Sequence, residues 1–202
     1  RSFELGRGNA SVLARFAGYA ASTRRFAEAE KAVLRARDLD PLNATIHRAV
    51  GFVLYASGRY EEANEAVRRA LSLNPKLSDS HARIGMGLIA LGQSAAAVEA
   101  AEKEKSGMVR NPCLAIAHYK IGDADAAKAA MNALIDAYGD AGLYQQAQVL
   151  AQWGDADQAM AVLKRAKELG DSGLTYLYVD PALDPVRDRP DFKQLLLALG
   201  YG

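Results

Sequence analysis

The sequence predicts an all-α array of stacked helix pairs, and three observations predict it. Half of the 202 residues are apolar, and the 6 prolines fall at a few boundaries only, a composition that favours helix over strand. Apolar residues recur at the three- and four-residue spacing of amphipathic helices. Residues of matching size recur at a lag of 34: Ala17, Ala29 and Ala36 precede Gly51, Ala63 and Ala70, Phe26 precedes Tyr60, and Pro41 precedes Pro75. Self-similarity at such a period is the mark of a solenoid, because one helix pair cannot bury both of its faces and neighbours complete the core.

The clearest unit is NATIHRAVGFVLYASGRYEEANEAVRRALSLNP, residues 43–75. It holds two amphipathic helical patterns separated by SGRY, with Gly58 in the turn, Tyr60 opening the second helix and Pro75 ending the unit. The chain starts with Arg, and RSFELGRGNA resembles the end of a second helix with its loop. Residues 1–9 are therefore expected to be the remnant of a preceding repeat in a longer protein. Repeat one spans about 10–43, with helices at 11–22 and 25–38. Repeat two spans 44–77, with helices at 44–56 and 60–73. Repeat three spans 78–110, with helices at 79–90 and 94–107, and Gly85, Gly92, Ala97 and His81 keep the lag of 34 while Glu104 breaks it at the place of Ala70. SGMVRNP is then expected to be a loop. Repeat four (111–140) has helices at 112–120 and 124–137, and repeat five (141–170) at 142–152 and 156–169. GDADAA at 122–127 and GDADQA at 154–159 are nearly the same words.

Residues 171–202 leave the pattern, with prolines at 181, 185 and 190 that restrict the residue before each away from helix. The expectation is a short helical piece near 173–179, an ordered loop and a final helix near 189–199. Phe192, Leu195, Leu196 and Leu199 form one apolar stripe, suited to cap the open end of the stack over Ala159, Val162, Leu163 and Ala166.

Gly51, Tyr55, Gly58, Tyr60, Ala63, Ala70 and Pro75, echoed through the other repeats, resemble the tetratricopeptide-repeat (TPR) signature over nearly all of the chain to about residue 170. The resemblance implies antiparallel helix pairs wound into a right-handed superhelix of about five pairs, whose concave face holds a peptide or a partner helix. The tail YLYVDPALDPVRDRPDFKQLL resembles the closing segment of repeat domains in bacterial regulators of the nucleotide-cyclase-like and winged-helix kinds. That likeness implies the C-terminal regulatory region of a larger bacterial protein.

A net charge of +1 argues against a polyanion-binding surface. The charge is uneven, with 12 Lys/Arg against 8 Asp/Glu in residues 1–75 and 13 against 16 in residues 76–202. One cysteine, Cys113, excludes an internal disulfide and a multi-cysteine metal site; it reads as a small buried residue. No apolar run approaches a membrane span. GxxxxGK[ST], GxSxG, HExxH and GxGxxG are all absent, so the sequence gives no reason to expect an enzyme or a cofactor.

The first helices of the pairs are expected to line the concave face. Their outward positions are Arg15, Arg48, Phe52, Tyr55, Arg83, Met86, Ile116, Tyr119, Lys120, Tyr144 and Gln148, a surface of four cations interleaved with aromatic and apolar groups. Arg and aromatic side chains dominate interface energetics, and the expected ligand is an acidic-hydrophobic segment of a protein. The carboxylate clamp known from chaperone-binding TPR domains is not matched: its places hold Ala14, Gly18, Ala49, Asp79 and Arg83, of which Arg83 alone fits. His47, His81 and His118 read as core or groove-edge residues rather than ligands. Asp180, Asp184 and Asp188 read as turn and capping residues, so no metal is expected. Recognition of single-stranded RNA by a pentatricopeptide-like array lacks a recurring polar code pair on the first helices. Self-association through the open N-terminal face, as a homodimer, is the alternative mode. The expected compartment is the cytoplasm, with the periplasmic side of a larger membrane protein as the other setting.

Overall fold

The computed structural model describes residues 8–201. All but Gly8 and Asn9 of the expected 1–9 remnant lie outside the described residues. The array has five helix pairs: α1 (Ala10–Ser22) with α2 (Phe26–Leu39), α3 (Ala44–Ala56) with α4 (Tyr60–Leu73), α5 (Ser80–Ala90) with α6 (Ser94–Glu102), α7 (Gly107–Lys120) with α8 (Ala124–Tyr138), and α9 (Leu143–Trp153) with α10 (Ala156–Glu168). A 3-10 turn, η1 (Gly139–Gly142), precedes α9. The tail forms η2 (Ser172–Tyr176), η3 (Pro181–Val186) and α11 (Pro190–Ala198), and no strand occurs among the described residues. No helix among them is long and apolar enough to cross a membrane.

Local chemistry places the turns within the pairs. Gly58, Gly92, Gly122 and Gly154 all sit in the left-handed region, with φ of 81°, 74°, 85° and 87°, which a glycine enters without a Cβ clash. The repeated word GDAD is this turn followed by a cap. Asp123 accepts from the Ala126 amide at 3.1 Å and Asp155 from the Gln158 amide at 3.2 Å, each worth about 1 kcal/mol of helix stability. Asn9 and Asn43 cap α1 and α3 in the same way.

The small residues mark where helices touch. A Cβ on Gly51 would lie 2.5 Å from Val67 Cγ2 and 3.1 Å from the Ala63 carbonyl oxygen. A Cβ on Gly85 would lie 2.5 Å from Cys113 Sγ and 3.3 Å from the Ala97 carbonyl oxygen. Cys113 is fully buried there, and burial pushes its thiol up to about 12, so it packs as a small apolar residue.

Two expectations fail around residues 103–112. α6 stops at Glu102 rather than 107, and α7 starts at Gly107 rather than 112, so most of SGMVRNP is helix and not loop. Glu104 is the cause at the first site: it is buried, and its carboxylate accepts from the amides of Lys105 at 3.0 Å and Ser106 at 3.2 Å, folding the chain into a turn. Pro112 lies inside α7. Only about one turn in, its missing N–H forfeits a single bond, to Met108.

In the tail, Phe192, Leu195 and Leu196 are buried in the cluster that holds Ala159, Leu163 and Ala166 of α10. The piece expected at 173–179 is the shorter η2, and the expected loop holds η3. The core is in two parts. One gathers Leu13, Val33, Ile46 and Val53 of the first two pairs; the other runs from Val67 through pairs three to five into the tail. First helices pack on one another from α1 to α3 and from α5 through α7 to α9, but the packing between α3 and α5 is much thinner. α5 opens with Asp79 at φ 63°, a strained entry for a non-glycine residue.

Candidate functional site

Where α3 and α5 part, the face formed by the first helices opens into a cavity of about 320 Å³. Phe52 and Tyr55 of α3, Arg83 and Met86 of α5, and Tyr144 and Gln148 of α9 line it. A second cavity of about 240 Å³ adjoins it, lined by Tyr55, Tyr60, Met86, Ile116, Lys120 and Gln152. Eight of the eleven residues expected on this face thus meet at two neighbouring hollows.

The other three are placed elsewhere. Arg15 is exposed on α1 and borders neither hollow. Arg48 is held down: its Nη1 donates to the Ser78 carbonyl at 2.9 Å and lies 4.0 Å from Asp79 Oδ2. It joins repeat two to repeat three instead of facing solvent. Tyr119 stacks on Trp153 at 5.7 Å between ring centroids and donates its hydroxyl to the Trp153 carbonyl at 2.9 Å. It packs between repeats four and five, because about 100° of turn per residue carries it some 60° away from Ile116 and out of the groove. Two residues within the site are also less outward than expected, Ile116 being 0% and Tyr144 2% exposed.

Tyr144 is buried because the tail lies over it. Its hydroxyl donates to Asp180 Oδ2 at 2.7 Å, its amide to Asp171 Oδ2 at 3.0 Å, and its ring closes on the Cα of Gly173. Gln148 Nε2 donates to the same Asp180 oxygen at 2.6 Å, and Gln152 Nε2 donates to the Ala182 carbonyl at 2.9 Å. Further along, the Tyr176 ring meets Phe52 edge-on at 5.4 Å, and the Arg24 guanidinium lies 5.1 Å above the Tyr178 ring. Arg187 fastens the segment to itself, donating to the carbonyls of Tyr178 and Asp180 at 2.8 Å each. The tail is therefore more than an end cap: residues 172–187 cross the inner face and reach repeats one and two.

The electrostatics are uneven. Burial holds the Asp180 carboxyl above its usual range, opposed by hydrogen bonds from Tyr144, the Ala182 amide and Gln148. Burial also pushes the Tyr144 and Tyr55 hydroxyls well up. Arg83 is pushed down, first by burial and then by the neighbouring Arg48. Its Nε has no hydrogen-bond partner, and neither have Asn64 Nδ2 and Gln145 Oε1; all three residues line the larger cavity. Leaving a buried donor or acceptor unpaired costs about 1–3 kcal/mol.

Sequence reading missed Asn64, Met108, Val109, Pro112 and the tail's Tyr176 and Asp180, which also line this cavity. Asn64 left a faint signal as the one polar residue beside Ala63, Val67 and Ala70 on the buried face of α4. Met108 and Val109 were hidden by the loop assigned to them.

Among the described residues no group of three or more His, Cys, Asp or Glu is arranged to hold a metal. His47 Nε2 pairs with the Pro41 carbonyl at 2.8 Å, and His118 Nδ1 lies 3.4 Å from Asp123. Asp180 caps η3, Asp184 pairs with Arg187 at 2.7 Å and Asp188 with Lys193 at 3.7 Å.

Residues 44–77 and residues 114–173 each match a family model described as a tetratricopeptide repeat. No curated protein matches the chain. Solved structures do. PilW, described as a type IV pilus biogenesis factor, is 17% identical with a TM-score of 0.61, covering 96% of this chain and 94% of its own. PilF of Pseudomonas aeruginosa is 22% identical with a TM-score of 0.58, covering 86% of this chain and 82% of its own. YrrB, described as a TPR protein with an unusual peptide-binding site, is 19% identical with a TM-score of 0.53, covering 87% of this chain and 93% of its own. At these identities the likeness is one of fold. None of it supports the resemblance of the tail to bacterial cyclase-like or winged-helix regulators. The chain is an α-helical repeat solenoid in which residues 44–77 and 114–173 match the tetratricopeptide repeat.

Proposed function

We propose that this chain is a protein-interaction scaffold whose inner face receives a short acidic-hydrophobic segment of a partner protein. The observation that carries the reading is the seat of the chain's own tail. LTYLYVDPALDP (174–185) is itself such a segment. The inner face holds it by the means a peptide site uses: ring contact from Phe52, donors from Tyr144 and Gln148 to a carboxylate, and a donor from Gln152 to a backbone carbonyl. Beside that seat runs the smaller hollow, where Tyr55 and Met86 supply apolar surface and Lys120 a cation. A partner segment lies there alongside η3, with its apolar side chains on Met86 and its acidic group toward Lys120.

Selection of displayed random peptides on the folded chain, followed by fluorescence anisotropy of the winners, tests the reading. Acidic-hydrophobic peptides should bind, and Met86→Arg should weaken them about tenfold or more. Peptides that bind equally well to Met86→Arg and Lys120→Glu variants would place the binding face elsewhere.

A further inference from the structure

We propose that the cavity between α3 and α5 is a binding site for a small free molecule with an apolar body and a single carboxylate, received by Arg83. The inference does not rest on the scaffold reading, which concerns the neighbouring hollow. Three observations carry it. The cavity holds about 320 Å³, within the range of small-ligand sites. Its walls are largely apolar, with Phe52, Met86, Met108, Val109 and Val179 among them. Three residues of its wall carry buried polar atoms without partners, the Arg83 Nε, the Asn64 Nδ2 and the Gln145 Oε1, and the Arg83 guanidinium has no ion pair among the described residues. Buried polar groups in folded proteins are nearly always hydrogen-bonded, so three in the wall of one hollow set it apart from ordinary core, and the Arg83 guanidinium is the charge there that lacks a counter-ion.

The charges select an anion. Three carboxylates also border the cavity, and each is already engaged. Asp79 lies 4.0 Å from Arg48. Asp171 accepts from the amides of Tyr144 at 3.0 Å and Gly173 at 2.8 Å. Asp180 accepts from Tyr144, Gln148 and the Ala182 amide. Arg83 has no ion pair among the described residues, only the face of Phe52 at 6.0 Å. A carboxylate offers acceptor oxygens to the Arg83 guanidinium. One guanidinium among three carboxylates does not balance a second ligand charge, which disfavours phosphate. The tail favours a free molecule over a chain segment, because its Ser172, Gly173, Tyr176 and Val179 already line the cavity.

The test is calorimetric titration of the full chain with a panel of monocarboxylates, from benzoate through 3-phenylpropionate and 3-indolepropionate to octanoate, each beside its neutral amide. At least one acid should bind at least tenfold more tightly than its amide. Arg83→Met, checked for native helix content by circular dichroism, should abolish that preference, and Arg83→Lys should restore part of it. A second arm uses tripeptides ending in phenylalanine as free acid or amide. Binding of the tripeptide acids alone would overturn the assignment to a free molecule. No acid binding, equal affinity for acid and amide, or an unchanged preference in Arg83→Met would overturn the site. Those failures leave the display-selected peptides, and the scaffold reading they test, untouched.

Discussion

Gly51 and Arg48 lie one turn apart on α3 and meet different surroundings. Any side chain on Gly51 drives into Val67 and the Ala63 backbone, so Gly51→Leu should cost about 1–3 kcal/mol or more. Arg48→Ala loses one partly exposed hydrogen bond to Ser78 and should cost less than about 1.5 kcal/mol. Equal urea midpoints for the two variants would contradict the packing described. Arg24 replaces the turn glycine in repeat one, at φ 61°. Its left-handed backbone costs about 1–2 kcal/mol, partly offset by its contact with the Tyr178 ring. Arg24→Gly should therefore stabilise by up to about 1 kcal/mol, whereas Arg24→Ala, which keeps the strain and drops the ring contact, should destabilise by about 0.5–1 kcal/mol. Changes of the same sign in the two variants would refute this. Asp180 titrates above its ordinary 3.8 because burial outweighs its three hydrogen bonds. The folded chain then binds the proton more tightly than the unfolded one. Between 3.8 and the raised value, the contribution of Asp180 to stability falls as pH rises. The stability of wild type minus that of Asp180→Asn should decline as pH is raised through this window, and a flat or rising difference would contradict the burial of that carboxyl.

At the scale of elements, the helices were legible wherever the period held. Repeat two runs 44–56 and 60–73 in both sequence and structure, since a glycine at each close contact and each turn leaves few alternatives. Legibility stopped at Glu104 and Pro112. A buried carboxylate that turns the chain through two backbone amides has no periodic signature, and a proline in the second turn of a helix looks like a breaker until its register is known. The tail was half legible. The apolar stripe identified α11, but nothing in 172–187 announced that it crosses the first helices, because its partners Arg24, Phe52, Tyr144 and Gln148 are far away in sequence. Deleting residues 189–202 uncovers Ala159, Leu163 and Ala166 and removes the ion pairs of Arg189 with Asp157 and of Asp191 with Lys164. Hydrogen exchange should show lost protection across 143–168, with α1 and α2 little changed. Full protection across α9 and α10 after truncation would mean that α11 does not cover the stack.

For the whole molecule, the sequence located the inner face but not its depth. Helical spacing picked out eight residues that border the two hollows, with Ile116 and Tyr144 buried rather than outward, and one-period reasoning could not see that α3 and α5 part. The seam arises from features outside the repeat: Asn64 buried in α4, Asp79 in the left-handed region, and a tail that fills one side. Both the scaffold reading and the carboxylate site depend on that tail lying on the inner face. The most direct measurement is a nuclear Overhauser experiment on the full chain with labelled Phe and Tyr rings. Cross-peaks between Phe52 and Tyr176, whose ring centroids are 5.4 Å apart, should appear in the wild type. They should vanish in Gly173→Leu, where the added side chain collides with Tyr144. Absence of the Phe52–Tyr176 cross-peaks in a wild-type chain with its helices intact would contradict the account.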